Sequence, residues 1–511
     1  MLFTPTIRIT YMKHDLLLLT APVPDGIPDC FPHLGPAFLK SHLENLGFSI
    51  RTINMTTMIR SHYPWFNPHR KAVSQLMAIE PLKKYLRGEN VENVDKAAGI
   101  LWNLLGENIS AKVFGFSVLT QYSLPIALAM ASWLKRRQCK QRVIFGGSVF
   151  LEPQFLCLHR LPWIDHLVVG PGIHILPILL VKADAPRLIT MPDEPLPLNL
   201  IPRFDLLDLM TSRNSSARRK LILPYQLTKG CHFQCQYCTN VGIHPESMPV
   251  GKAISDLHYL QRTYRPDNIY LTDVNLNNDT RYLDDFCNRL IKNNLSLHFG
   301  GSLSVKGLDQ HSIGLLATAG CRYAYIGIET GSPRIRKLFR ITKIPSSPKL
   351  EMILRQLYAA GINNHLYFMH SFPGESDRDF ALTLTLARRL SWYAANGTVY
   401  PFALKYGAPA FHRTVELGII PRHLEQSADA LSCLDPCDPK NPMMIMSHPY
   451  DEIDGLSWEE KLHESAFRQK RLAEIFHYIS YPRRVINMLP IDPLYQLKKV
   501  IKPYFFMDIM L

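Results

Sequence analysis

Short apolar runs alternate with amphipathic stretches along most of the chain, and this rhythm carries the first expectation of structure. Residues 16–21 are a leucine-rich run, the pattern of a strand buried on both faces. Residues 34–46 repeat apolar positions at helical spacing and stop at Gly47, and 48–54 read as a second strand. Further strands are expected at 112–119, 142–146 and 165–169, helices at 124–137 and 173–181, and inserted helices between the second and third strands at 70–107. Alternation of this kind over about 180 residues argues a doubly wound, Rossmann-like α/β domain, which takes ligands beyond the carboxyl ends of its strands.

A second rhythm begins further along. Strands are expected at 221–226, 268–274, 297–305, 321–329, 364–372 and 398–405, with helices at 280–292, 312–319, 348–360 and 377–390 between them. About six βα units without reversal predict a partial (β/α)6 barrel whose active site lies at the carboxyl ends of its strands. Pro186, Pro192, Pro195, Pro197 and Pro202 cluster between the two rhythms, so 184–220 reads as a surface linker. After Gly407 the rhythm stops, and 408–511 is proline-broken and then helical around 458–479, as suits a lid. The expected division is therefore 1–183, 184–220, 221–407 and 408–511.

Composition changes this picture little. The 511 residues are 47% hydrophobic and 20% charged, ordinary for a globular protein with room for two domains and a smaller third. A net charge of +14 raises nucleic acid or a membrane surface as partners. The basic residues are scattered, however, and the short run Arg218, Arg219, Lys220 falls in the linker, so nucleic acid is not the expected partner. Lys498, Lys499 and Lys502 beside Tyr504, Phe505, Phe506 and Met507 leave peripheral membrane contact open. No stretch has the length of a transmembrane helix, and the leucines at 16–19 are too few for a signal core, so a cytoplasmic location is expected.

Ten cysteines fit a reducing compartment rather than a disulfide framework. Three of them, Cys231, Cys235 and Cys238, are spaced CxxxCxxC. Four thiolates would close an iron-sulfur cluster as an electron carrier, whereas three leave one iron open to a ligand. The competing reading is a zinc knuckle completed by His232 or His244, but no second cysteine pair is placed to help. Cys433 and Cys437 form a CxxxC pair read as loop cysteines; Cys30 and Cys157 are candidates to lie near a cofactor, and Cys139, Cys287 and Cys321 read as packed or inert. Polar clusters recur at the other expected strand ends. They are Asp273 with Asn275, then Gly327 to Ser332 around Glu329, then Pro373, Gly374 and Glu375, with Ser302 and Ser304 on the same rim.

With Tyr237 at its aromatic position, CxxxCx(aromatic)C resembles the signature of the radical S-adenosylmethionine (SAM) enzymes. The resemblance implies that Cys231, Cys235 and Cys238 hold a 4Fe-4S cluster whose open iron chelates SAM, which is cleaved to a 5'-deoxyadenosyl radical. The segments around Glu329 and at 373–375 look like those of one large branch of that family. By that resemblance Glu329, Pro373, Gly374 and Glu375 contact SAM or line its pocket, with Tyr237, Asp273, Ser302 and Ser304 as further candidates.

The first domain resembles the cobalamin-binding domain that precedes the barrel in the same branch. Gly35, Ser117, Gly146, Gly147 and Gly170 mark the corresponding turns, inside Pro32 to Pro36, Gly115 to Ser117, Gly146 to Ser148 and Gly170 to Gly172. There is no DxHxxG motif to supply a lower axial histidine, and Pro171 and Ile173 stand where the family has acidic residues. The domain is thus read as holding cobalamin or as a retained, empty scaffold.

The resemblance, over about residues 14–405, implies a cobalamin-dependent radical SAM methyltransferase acting on an unactivated carbon or a phosphinate phosphorus. It also implies a reductant such as flavodoxin or ferredoxin. Cyclisation or rearrangement without methyl transfer is the nearest alternative. A methylthiotransferase fits less well, because Cys30, Cys139 and Cys157 lack the spacing of that family's second cysteine set. A noncatalytic iron-sulfur or zinc protein is the alternative of another class. No catalytic acid, base or hydrogen donor is marked, oligomeric state is open, and the substrate stays open among peptide, lipid, tetrapyrrole and antibiotic precursor.

Overall fold

The computed structural model describes residues 14–24, 32–62, 68–106, 110–137, 140–182, 184–192, 200–215, 220–422, 429–437 and 447–477. Cys30, Cys139, Arg218, Arg219 and the basic and aromatic residues at 498–507 lie outside them. The chain divides into two compact units. The first takes Met1–Glu194, Leu200–Ser215 and Gln426–Lys440, and the second takes Pro195–Asn199, Ser216–Glu425 and Asn441–Leu511.

In the first unit β1 (His14–Thr20), β2 (Ile50–Asn54), β3 (Ala111–Ser117), β4 (Arg142–Gly146), β5 (His166–Val169) and β6 (Leu188–Thr190) form a sheet ordered β2-β1-β3-β4-β5-β6. Every pairing is parallel. The leucine run of β1 serves both faces. Leu17 and Leu19 pack with Phe116 and Phe145 on one side, and Leu16 and Leu18 pack with Val113 and Ile144 on the other. Each is at most 5% exposed, so burial stabilises by about 1.5–3 kcal/mol per leucine. The helices are α1 (Leu34–Asn45), α2 (Met55–His62), α3 (Pro68–Leu76), α4 (Ile79–Leu86), α5 (Glu92–Leu104), α6 (Leu124–Arg136) and α7 (Ile175–Val181). Residues of α1 and α7 join the Leu16 core and residues of α2 to α6 the Leu17 core, with α3 to α5 forming the insertion expected near 70–107. Strand order reverses between β1 and β3, where Thr20 lies beside Ser117 at the carboxyl ends. A doubly wound sheet opens its ligand crevice at such a switch point.

The stretch expected as a surface linker, 184–220, belongs largely to this unit. It supplies β6, and then α8 (Leu206–Ser215), which covers the open edge of β2. An edge strand leaves unpaired N–H groups, and here carboxylates satisfy them. Asp205 accepts from the Thr52 amide at 2.5 Å, and Asp208 accepts from the Asn54 amide at 2.8 Å. Prolines and polar residues hid this role, since neither apolar period nor length marks a capping helix. Part of the expected lid also lies here: Leu431 and Leu434 enter the Leu17 core, and Asp435 pairs with Lys83.

The second unit contains β7 (Ile222–Tyr225), β8 (Thr228–Lys229), β9 (Glu246–Ser247), β10 (Asn268–Leu271), β11 (Phe299–Ser302), β12 (Cys321–Glu329), β13 (Asn363–His370) and β14 (Asn396–Pro401). Six strands form one parallel sheet ordered β14-β13-β12-β11-β10-β7, the sequential order of a partial barrel. α9 (Val250–Tyr264), α10 (Thr280–Lys292), α11 (Gln310–Thr318), α12 (Pro333–Leu338), α13 (Ser347–Ala359) and α14 (Asp377–Leu390) make the crossovers. The antiparallel pair β8 and β9 closes the base of the loop that carries the three cysteines. β11 is shorter than the expected 297–305, because the Ser304 amide donates to the side chains of Asn275 and Asn277 instead of to a strand. Beyond the barrel come α15 (Pro409–His412), the antiparallel pair β15 (Ile419–Pro421) and β16 (Tyr450–Glu452), and α16 (Trp458–His477). No helix among the described residues is long and apolar enough to cross a membrane.

Candidate active site

A cavity of about 390 Å3 opens at the carboxyl ends of the barrel strands. Cys231, Cys235 and Cys238 line it together with Tyr237, Asn275, Ser302, Ser304, Gly327 and Glu329, so nine of the residues singled out in the second unit meet there. Tyr325, Lys343, Tyr367, Tyr400 and Lys405 also line it. Among the described residues no three His, Cys, Asp or Glu side chains converge closely enough for a single metal ion. His232 and His244 are exposed and do not line the cavity.

The cysteine loop is held from several sides. Gly230 carbonyl accepts from Asn278 Nδ2 at 2.9 Å. The Gln236 amide donates to the Phe339 carbonyl and its own carbonyl accepts from the Ala410 amide, both at 2.9 Å, while its side chain accepts from Arg413. Fixing the loop lets the sulfurs meet a rigid group without a large entropic cost. Burial pushes the Cys231 thiol up, and pushes Cys235 up to about 11 against the opposing Lys343 ammonium. Loading metal therefore expels protons from these thiols.

Glu329 ends β12 in the left-handed region, at φ 62°, beyond a register shift between Gly327 and Glu329. Its carboxylate accepts from Lys343 Nζ at 2.7 Å, and burial together with this nearby carboxylate raises the pKa of Tyr237. Tyr325, Tyr367 and Tyr400 form a row of near-parallel rings, with centroids 6.4 Å apart in each successive pair.

The remaining predicted residues sit elsewhere. Asp273 is buried and does not line the cavity; its two oxygens accept from the Leu227 and Thr228 amides, at the entry to the cysteine loop. Burial pushes it up to about 6, against those amide hydrogen bonds. Glu375 is likewise turned away, accepting from the Ser371 amide at 2.5 Å and from Arg468 of α16 at 3.0 Å. Pro373 and Gly374 do not line the cavity either; their turn sets Phe372, whose ring meets Tyr237 edge-on at 6.5 Å. Both acids thus position the loops that form the site.

In the first unit Ser117 closes β3, Gly146 closes β4, Gly147 and Gly170 follow β4 and β5, and Gly35 lies in the first turn of α1. All five are at the carboxyl edge of the sheet. A Cβ on Gly147 would meet the Val118 carbonyl at 2.3 Å and one on Gly170 the Met191 carbonyl at 2.6 Å, so those two serve backbone packing. Gly35 faces open space. A separate cavity of about 560 Å3, lined by Thr56, Arg60, Arg70 and Asp435 among others, does not involve the five.

Lys343, Asn278, Gln236 and the tyrosine row were not foreseen. A single lysine in a turn reads as solvated, and only the flanking Ile341 and Ile344, both buried, hint that Lys343 is drawn inward.

Comparison with known proteins follows the geometry. Residues 225–387 match the model of the Radical SAM superfamily. The uncharacterized methyltransferase PH0819 of Pyrococcus horikoshii is 23% identical over 225 residues, 43% of this chain and 47% of that protein, so the chain matches about half of the relative's length. Among solved structures, TsrM from Kitasatospora setae, a radical SAM methyltransferase with cobalamin and a 4Fe-4S cluster bound, aligns over 90% of this chain and 89% of its own, with TM-score 0.58 and 15% identity. OxsB, a cobalamin-dependent SAM radical enzyme, aligns over 84% of this chain and 56% of its own, with TM-score 0.50 and 14% identity. The chain therefore carries, at residues 225–387, a domain that matches the Radical SAM superfamily, and it has the α/β fold that TsrM and OxsB share.

Proposed function

We propose that the chain is a cobalamin-dependent radical SAM methyltransferase acting on an unactivated carbon, or a phosphinate phosphorus, of an organic substrate. The observation that carries the reading is the single cavity lined by Cys231, Cys235, Cys238, Ser302, Ser304 and Glu329 in a chain whose other unit presents a switch point between β1 and β3. When bound, a cluster and SAM supply a carbon radical and cobalamin supplies the methyl group. The chain's own residues bind and orient. Cys231, Cys235 and Cys238 are the cluster ligands, and Glu329 and the two serines offer acceptors and hydroxyls to SAM. Tyr325, Tyr367 and Tyr400 wall the cavity. Gly35, Ser117 and Gly146 are the cobalamin-facing residues, the open space over Gly35 being the part of that edge a ligand would fill.

A second reading, radical rearrangement without methyl transfer, draws on Gly147 and Gly170, whose missing side chains internal packing accounts for without cobalamin. The deciding experiment is the iron, sulfide and cobalamin content of protein made anaerobically with cobalamin, followed by turnover with methyl-labelled SAM and a flavodoxin or ferredoxin reductant. About four irons and one cobalamin per chain support the first reading. Four irons with no cobalamin, and SAM cleavage without label transfer, favour the second.

A further inference from the structure

We infer that Lys343 and Glu329 form an opposed charge pair that sets the reduction potential of the cluster, with Lys343 favouring the reduced state. This rests on the radical SAM reading of the cysteine loop. Lys343 comes from the turn between α12 and α13, remote in sequence from the cysteines, yet it lines the same cavity as Cys231, Cys235 and Cys238. It stands 6.0 Å from the centre of the Tyr237 ring and 2.7 Å from Glu329 Oε1.

The pair is built rather than incidental. The two charged ends close over Gly327, and the pair is largely shielded, with the Lys343 side chain 20% and the Glu329 side chain 7% exposed. Glu329 is held in the left-handed region, and the Tyr237 ring, inside the cysteine loop, lies beneath the Lys343 ammonium. A charge pair restrained by burial and a strained backbone stays at the wall of the cavity that the three cysteines line. In a site of low dielectric, a fixed charge acts strongly on any group whose own charge changes.

Reduction adds one electron, delivered by a low-potential donor of the flavodoxin or ferredoxin class, and no bond or proton has to move. Net charge around a cluster is one of the terms that set its potential. Lys343 favours the more negative, reduced state, and Glu329 opposes it. Removing either charge while keeping the side-chain volume should therefore move the potential in opposite directions, which no packing defect would do.

The test is a spectroscopically monitored redox titration of the reconstituted full chain, with iron content measured for each variant. Lys343→Met should lower the midpoint potential relative to wild type, Glu329→Gln should raise it, and Lys343→Arg should stay near wild type. Iron content near four per chain in all of them shows that the cluster is present. Shifts of the same sign in Lys343→Met and Glu329→Gln, or no shift in either, overturn the assignment. Should Lys343→Met fail to load, Glu329→Gln decides alone, since a lowered or unchanged potential there is equally fatal. Failure of wild type to bind iron instead overturns the radical SAM reading itself, and is told apart by the metal analysis.

Discussion

Arg468 of α16 is 2% exposed at its side chain and the carboxylate it grips, Glu375, is 0% exposed, so the C-terminal helix is fastened to the turn beside the active site by a fully buried ion pair. Its guanidinium donates to Glu375 Oε2 at 3.0 Å and to the Glu375 carbonyl at 3.3 Å, reaches Asp377 and Glu464, and lies over the Phe380 ring. Replacing Arg468 by Met keeps the stem and removes the charge, leaving Glu375 buried and uncompensated. Breaking one partner of such a pair costs about 3–5 kcal/mol. For a unit of this size each kcal/mol moves Tm by about 2–4 °C, so a loss of roughly 6–20 °C is expected. The pH dependence sharpens the test. Burial pushes Glu375 from 4.5 up to about 7, with Arg468 opposing. A raised carboxyl binds more protons folded than unfolded, so its contribution to stability falls as pH rises from about 4.5 through 7. Without Arg468 the carboxyl rises further and escapes its charge by staying protonated, so the deficit of the variant is smaller at pH 6 than at pH 8. Thermal melts of wild type, Arg468→Met and Arg468→Met/Glu375→Gln at both pH values are the assay. The double variant removes the stranded charge and should recover most of the loss. A single variant melting within about 2 °C of wild type, or a double variant no better than the single, would refute the reasoning.

Four further outcomes are expected. Asp273→Ala strands the Leu227 and Thr228 amides at about 1–3 kcal/mol each and should at least halve the iron retained per chain; full retention would remove Asp273 from its positioning role. Gly147→Ala forces a Cβ against the Val118 carbonyl at φ 115° and should destabilise the first unit by about 3 kcal/mol or more, read as an early melt. Gly35→Ala, facing open space in a helix, should hold or raise Tm by the helix preference of about 0.5–1 kcal/mol while lowering cobalamin retention; unchanged retention would show that no cobalamin lies over it. Cys157, whose thiol is pulled down to about 7 by its hydrogen bond with Cys433 and by Arg160 against burial, should label with iodoacetamide at half-maximal rate near pH 7, and a midpoint at 8.5 or above would count against that contact.

The two βα rhythms were legible because each strand is a short apolar run and each crossover helix carries its own period. Leu16 to Leu19 announce a two-faced strand, and the CxxxCxxC spacing marks the loop whose Cys231, Cys235 and Cys238 line the cavity. What remained hidden depends on where side chains point after the strand ends. Asp273 and Glu375 share composition and position with residues that line the cavity, yet each turns to a backbone amide, that of Thr228 or Ser371. Periodicity cannot register such a choice, because it is made by unpaired N–H groups on a neighbouring loop. The edge of β2 was hidden for the same reason. Asp205 and Asp208 read as polar linker residues until the open amides of Thr52 and Asn54 are placed beside them.

Backbone conformation separates structural from functional turns in the second unit. Among the described residues there, five that are not glycine adopt positive φ: Arg265, Asn294, Glu329, Arg340 and Ser371. Arg265, Asn294 and Arg340 follow α9, α10 and α12, where a left-handed residue returns the last amides to helix carbonyls, as in Arg340 N–H to Lys337 and Ile341 N–H to Arg336. The cost of that conformation, about 1–2 kcal/mol, is offset by hydrogen bonds a helix end needs in any case. Glu329 and Ser371 have no helix to finish. Glu329 ends β12 and Ser371 follows β13, and the interactions that hold them run through Lys343 for the one and through Glu375 and Arg468 for the other. Strain that no secondary structure requires persists only where the surroundings over-determine it. Both such positions lie at the carboxyl ends of adjacent strands, and each is held by a buried carboxylate with a cation upon it, which makes these two ion pairs the parts of the barrel rim that substitution should disturb most.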